Sequence, residues 1–202
     1  FRFKERLRNL LEINKIKIEY HYAISEDIYQ RLKKAKINPL KININLVDKS
    51  IFKKLNKYGN QIYIYNGIKK GNENIYNEKV YLKVINKLPE YDFIFSNKLN
   101  LSYSKMVSIY KKSFICLRLT DHDGNANTVQ ECERLKLPCI HNTSTYGIKW
   151  TNEEDIVKTI IKTSILNFSK EIKKYDKIIF IGRNELMGKL LAKYFNTEYL
   201  FI

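Results

Sequence analysis

The stretch Ser113-Phe114-Ile115-Cys116-Leu117-Arg118-Leu119-Thr120-Asp121-His122-Asp123-Gly124-Asn125-Ala126-Asn127-Thr128-Val129-Gln130-Glu131 changes pattern twice within nineteen residues. Its first five residues form an apolar run of strand length, and from Val129 to Leu137 the spacing predicts a short helix stopped by Pro138. The residues between are polar and include one glycine. Strand, loop and helix in that order form the repeating unit of open α/β sheets, which hold ligands beyond the carboxyl ends of their strands. The helix start offers unpaired N–H groups and a partial positive charge, both suited to an anion such as phosphate. Asp123 and Glu131, eight positions apart, place carboxylates on the loop and in the helix. The spacing also fits plainer roles. Thr128 and Glu131 match a capping box, and Asp121 to Asn125 uses the residues of an ordinary turn.

The same alternation runs through most of the chain. Before the stretch, the pattern predicts a helix over 2–11, a strand over 16–20, and a helix capped by Ser25 and continuing to Lys36. Strands follow over 42–47 and 61–65, then a helix over 78–87, a strand over 91–96 and a Ser102-capped helix over 103–112. After it come a strand over 138–141, the polar run from His141 to Gly147, and a helix from Thr151 to about Leu166. A βαβ unit closes the sequence, with strands over 176–182 and 198–202 around a helix over 185–195. The fold class expected is α/β, a mostly parallel Rossmann-like sheet with helices on both faces. Three segments are expected: 1–40, a helix and strand that are a remnant of or a link to another lobe; 41–168, the ligand-binding Rossmann-like domain; and 169–202, extra strands of that sheet or the start of a further domain. Gly182 and Gly188 do not complete a dinucleotide-binding glycine pattern.

A hydrophobic fraction of 44% supports a packed core, and no apolar run reaches the roughly 18 residues of a membrane span. The first residue is Phe1, so the chain is expected to be a piece of a longer polypeptide. The net charge of +16 raises nucleic acid or an anionic surface as a partner. Yet only seven of the 37 basic residues are arginine, and the lysines are spread through every segment. Isoleucine, lysine, asparagine and tyrosine are abundant together, as an AT-rich genome produces. Cys116, Cys132 and Cys139 lie at no metal-ligand spacing and read as inert core thiols in a reducing, cytoplasmic compartment. No metal site and no cofactor is read from the sequence.

The segment from Tyr110 to Asn142 resembles the donor-binding part of GT-B glycosyltransferases of the glycogen-synthase-like group, family 4 with family 1 close by. Those enzymes carry an acidic residue, a glycine loop, a second acidic residue eight positions on, a helix, and a strand opening with proline. Here the strand is Pro138-Cys139-Ile140-His141. Leu46-Val47-Asp48-Lys49-Ser50-Ile51-Phe52 is similar to the turn at the linker between the family's two lobes. The family's first donor-lobe strand ends in a glycine followed by an arginine and a lysine that grip pyrophosphate. This chain has Gly67 with Lys69 and Lys70 and no arginine, and lysine lacks the bidentate fork.

The resemblance implies a metal-independent enzyme of glycan biosynthesis that takes a nucleoside-diphosphate sugar and an unidentified glycan or protein acceptor. By the same resemblance Glu131 accepts the ribose hydroxyls and Asp123, where the family usually has glutamate, binds the donor sugar. The backbone of Gly124, Asn125, Ala126, Asn127 and Thr128 holds the β-phosphate, and Arg118 with Lys69 or Lys70 offsets the leaving diphosphate. Asn125-Ala126 replaces the family's aromatic–glycine pair, which leaves the sugar open. His122 is the imidazole in the loop and a candidate base. Read from residues alone, Arg118 interrupts an apolar strand and needs an anion, either a donor phosphate or Asp121 or Asp123. The competing class is a non-catalytic basic α/β module that binds nucleic acid or an anionic surface.

Overall fold

Short loops between strand and helix patterns leave the chain few ways to fold, and the outcome is a computed structural model with two units. It describes residues 20–42, 44–67, 75–99, 101–121, 123, 125–142, 146–172, 180–182, 188–189, 192–193 and 199–201. One unit comprises Phe1–Leu46 with His122–Asn127, and the other Val47–Asp121 with Thr128–Ile202.

In the first unit, β1 (Tyr22–Ala23) and β2 (Leu40–Lys41) pair in parallel around α1 (Glu26–Lys34). Ser25 caps α1 as expected, its hydroxyl accepting from the N–H of Ile28 at 3.3 Å. The helix ends in a Schellman turn: Lys36 has φ 61°, its N–H bonds Lys33 O, and Ile37 N–H reaches Leu32 O at 3.0 Å. That turn returns the chain early, so the strand expected over 42–47 forms instead at Leu40–Lys41. The β1 edge takes its bonds there, His21 O from Leu40 N and Ala23 O from Ile42 N. The helix expected over 2–11 and residues 16–19 of the next strand lie outside the described residues.

In the second unit, Asp48 opens an Asx turn, its carboxylate accepting from Ser50 N at 2.7 Å, and Phe52 N–H returns to Asp48 O. A four-stranded sheet follows, formed by β3 (Gln61–Ile64), β4 (Phe93–Phe95), β5 (Ser113–Leu117) and β6 (Cys139–Ile140). Its order is β4-β3-β5-β6 and every pair is parallel. The helices between are α2 (Glu78–Lys87), α3 (Met106–Lys112), α4 (Asn127–Leu135) and α5 (Glu153–Ile172). Strand alternation sorts them onto two faces. Ile62, Ile64 and Leu117 join a core with Tyr81 and Val84 of α2 and Ile156, Ile160 and Ile161 of α5. On the other face the Tyr63 ring meets Tyr110 of α3 edge-on at 5.3 Å, and Tyr110 meets Phe52 at 6.1 Å. The sheet is α/β with helices on both faces, as the alternation predicts.

Boundaries differ from the sequence pattern at several places. α5 runs to Ile172, and Phe168 continues its apolar face past Leu166 by meeting Phe114 at 6.4 Å. Its start is capped by Asn152, whose side chain accepts from Asp155 N at 3.0 Å. Ser102 precedes a 3-10 turn over Tyr103–Lys105 rather than capping a helix, its hydroxyl lying 3.4 Å from that of Ser104. α4 begins and ends two residues earlier than its apolar spacing, closed by Lys136 at φ 60° in a second Schellman turn with Leu137 N bonded to Cys132 O. β7 (Phe180–Gly182) and β8 (Tyr199–Phe201) pair in parallel as their own two-stranded sheet.

A left-handed conformation costs an L-residue with a Cβ about 1 kcal/mol that glycine avoids. Lys136→Gly keeps the backbone carbonyl that Tyr58 bonds and is expected to raise stability by about 1 kcal/mol, read as a higher urea midpoint. A lowered midpoint would refute the left-handed closure.

Candidate functional site

β3 and β5 are neighbours, yet the chain leaves β3 toward β4 on one side and builds β5 and β6 on the other. Such a reversal opens a crevice at the carboxyl ends of the two central strands, where loops diverge. Asn66-Gly67 leaves β3 at this crevice. Gly67 has φ 89°, and Ser96 at the end of β4 pins the turn, its hydroxyl 2.8 Å from Gly67 O and 3.0 Å from Asn66 N. Gly67 is therefore required by backbone conformation.

Arg118 follows directly on β5 and is 8% exposed. Its guanidinium lies over the Tyr65 ring at 4.1 Å and the Tyr76 ring at 5.5 Å. Nη1 stands 3.4 Å from the Thr128 hydroxyl, in the first turn of α4. A buried arginine on two aromatic faces keeps its plane fixed and its charge in a poorly screened setting. Two further groups fix the backbone around it. The Tyr81 phenol accepts from Leu119 N at 2.8 Å and lies 3.2 Å from Tyr65 O and 3.4 Å from Leu117 O, joining the ends of β3 and β5. The buried ring of His141, at the end of β6, places Nδ1 3.0 Å from Arg118 O. Asn142 then clamps the following loop through both backbone groups of Trp150.

Tyr81→Phe would leave the buried Leu119 N–H without its acceptor, at an expected cost of about 1–3 kcal/mol. The measurement is the melting temperature, which should fall by at least a few degrees for a chain of this size. An unchanged value would show that another acceptor replaces the phenol.

Glu131 has a different surrounding from the one expected. It lies in the middle of α4, 6% exposed, and its carboxylate accepts a hydrogen bond from the fully buried Tyr110 phenol. Burial raises its pKa above the ordinary carboxylate value, opposed by the Tyr110 hydrogen bond and by the charge of Arg118. The capping-box alternative is not what these side chains do. Both residues lie inside the helix, with Thr128 turned to Arg118 and Glu131 to Tyr110. Arg118 thus has a carboxylate in its electrostatic surroundings that neither sequence reading paired with it. Asp121, one of the two offered, is exposed and accepts from Asn77 Nδ2 at 3.3 Å.

The remaining expected residues divide by unit. Within the first unit, Asn125 donates to the Ile44 carbonyl, Asp123 and Ala126 are half-buried, and Asn127 is exposed as the first residue of α4. Lys69, Lys70, His122 and Gly124 lie outside the described residues.

Three thiols that appear unrelated in sequence meet in the core. Cys116 and Cys139 are register partners on β5 and β6, and Cys132 of α4 packs over them, all three Sγ atoms within 4.8 Å of one another. Burial pushes the Cys116 and Cys132 thiols well above their ordinary pKa. Hydrogen bonds with Cys116 and Cys132 pull Cys139 the other way, well below its ordinary value, and the three form a set of soft donors of metal-ligating type.

No protein-family model, curated protein or solved structure matches the chain. The class that its fold defines is an α/β protein with a parallel, doubly covered sheet whose strand order reverses between β3 and β5. Among the described residues no helix is long and apolar enough to cross a membrane.

Proposed function

We propose that this chain is the donor-binding portion of a glycosyltransferase, which takes a sugar from a nucleoside diphosphate. The observation that carries the reading is Arg118, a cation held on two tyrosine rings beside the first turn of α4, at the reversal point of a parallel sheet. In this proposal Arg118 binds the diphosphate and stabilises the charge that develops on it as the sugar leaves. In this proposal positioned cations and N–H groups stabilise the leaving diphosphate, as the family resemblance implies. Thr128, whose hydroxyl lies beside Arg118, keeps the phosphate-binding role that the family resemblance implies. Glu131 is assigned a changed role: it sets the electrostatic surroundings of Arg118, in place of binding ribose. The acceptor is an unidentified glycan or protein.

The test is a thermal-shift titration with a panel of nucleoside diphosphates and their sugars. A ligand at 100 times its dissociation constant should add about 2.7 kcal/mol, a shift of several degrees at this chain length. Stabilisation by one nucleotide would identify the base. No stabilisation by any of them, with salt-sensitive stabilisation by DNA or RNA, would overturn the enzyme reading in favour of a basic binding module.

A further inference from the structure

A second concave region lies at the opposite, amino ends of β3, β5 and β6, where Tyr58, Phe114 and Pro138 stand. A cleft of about 700 Å³ opens there, its apolar wall made by Phe114, Pro138, Ile148, Leu166 and Phe168. Ile148 and Leu166 are 37% and 52% exposed, so apolar surface reaches solvent at this cleft. Such surface is ordinary when scattered and informative when it lines one concavity. Asn56, Lys57 and Tyr58 are shared with a neighbouring hollow of about 560 Å³. That hollow is lined by Lys53, Lys54, Lys57 and Lys111 from the loop before β3 and from the end of α3, with no carboxylate among the described residues of its wall. Like charges gathered around a concavity repel one another and focus a positive potential into it, which favours an anion.

We propose that the two hollows form one site for a single-chain amphiphilic anion, a long-chain phosphate monoester. Its hydrocarbon chain occupies the apolar cleft and its phosphate lies among the lysines. Ammonium groups act as compact point charges, which suits a phosphate dianion better than a carboxylate that wants a bidentate fork. The cleft volume falls in the range of about 300–1,000 Å³ typical of small-molecule sites. All of these residues belong to the second unit, and the site is separate from Arg118, so the inference stands independently of the nucleotide reading.

The experiment is calorimetric titration of the chain with dodecyl phosphate below its micelle concentration. Parallel arms use inorganic phosphate, dodecyl maltoside and phosphatidic acid vesicles. One saturable equivalent of dodecyl phosphate is expected, bound more tightly than either the head or the tail alone. The double variant Lys54→Glu/Lys111→Glu should weaken it by roughly tenfold or more, the scale of a lost contact to a charged group. Leu166→Asp should weaken it too, and because these side chains are exposed the variants should keep the wild-type melting temperature. The proposal is overturned by no saturable binding, or by equal binding of dodecyl maltoside, which would leave only the tail. Equal binding of inorganic phosphate, or association with vesicles but not with the monomer, would overturn it as well.

Discussion

Arg118→Ala is expected to abolish nucleotide stabilisation, removing the gain of about 2.7 kcal/mol seen by the wild type at 100 times the dissociation constant. The variant loses the cation at the sheet reversal and the group that two tyrosine rings orient. It also loses a stabilising charge near Glu131, so the unliganded protein should itself be less stable. These two effects separate the functional role from the structural one. A purely structural Arg118 would lower the starting melting temperature and leave the ligand-induced increment intact. Arg118→Lys sharpens the test: it keeps the charge but not the planar surface that stacks on Tyr65 or the fixed array of donors. It should recover part of the increment, through charge alone. If both variants retain the full increment, the diphosphate is not held at Arg118 and the proposed function fails at its central residue.

The parts of this fold that were legible in the sequence are those where periodicity and local chemistry agree. α2 spans the ten residues whose apolar spacing predicts it, and the strands expected over 61–65 and 113–117 form as Gln61–Ile64 and Ser113–Leu117. Local caps were legible in part. Ser25 does what a serine before a helical pattern should do, whereas both Schellman turns close on lysine, where a reader looks for glycine. Pairings across the chain were not legible at all. Cys116 and Cys139 meet only because β5 and β6 pair in that register, and Cys132 joins them because α4 packs on that face. Their separation in sequence carries no trace of it. The same holds for Tyr110 and Glu131, twenty-one residues apart on two different helices. The resemblance assigns the carboxylate to a ligand, and in the structure the buried Tyr110 phenol holds it.

That pair yields the second large effect. The Glu131 carboxyl is raised above its ordinary pKa by burial, so the folded state binds its proton more tightly than the unfolded chain does. Stability contributed by this group is therefore full below the unfolded value near 4.5 and is lost as pH rises through the higher folded value. In its ionised form the buried carboxylate is held by one phenol and by the field of Arg118. Glu131→Gln keeps an oxygen that accepts from Tyr110 and removes the charge. It should flatten that part of the stability–pH profile and cost little at pH 7. Tyr110→Phe should do the reverse: the carboxyl stays, its donor is gone, and about 2–3 kcal/mol is lost at pH values where the carboxyl is ionised. The loss should shrink as pH falls and the carboxyl takes up its proton. Glu131→Gln combined with Tyr110→Phe should cost less than Tyr110→Phe combined with an independent loss of the same size, because the two groups share one hydrogen bond. Urea unfolding of the four proteins at several pH values reads all of these quantities. Additive costs with parallel pH profiles would show that Tyr110 and Glu131 do not act on each other. The carboxylate would then be available to a ligand, and the ribose role implied by the family resemblance would return.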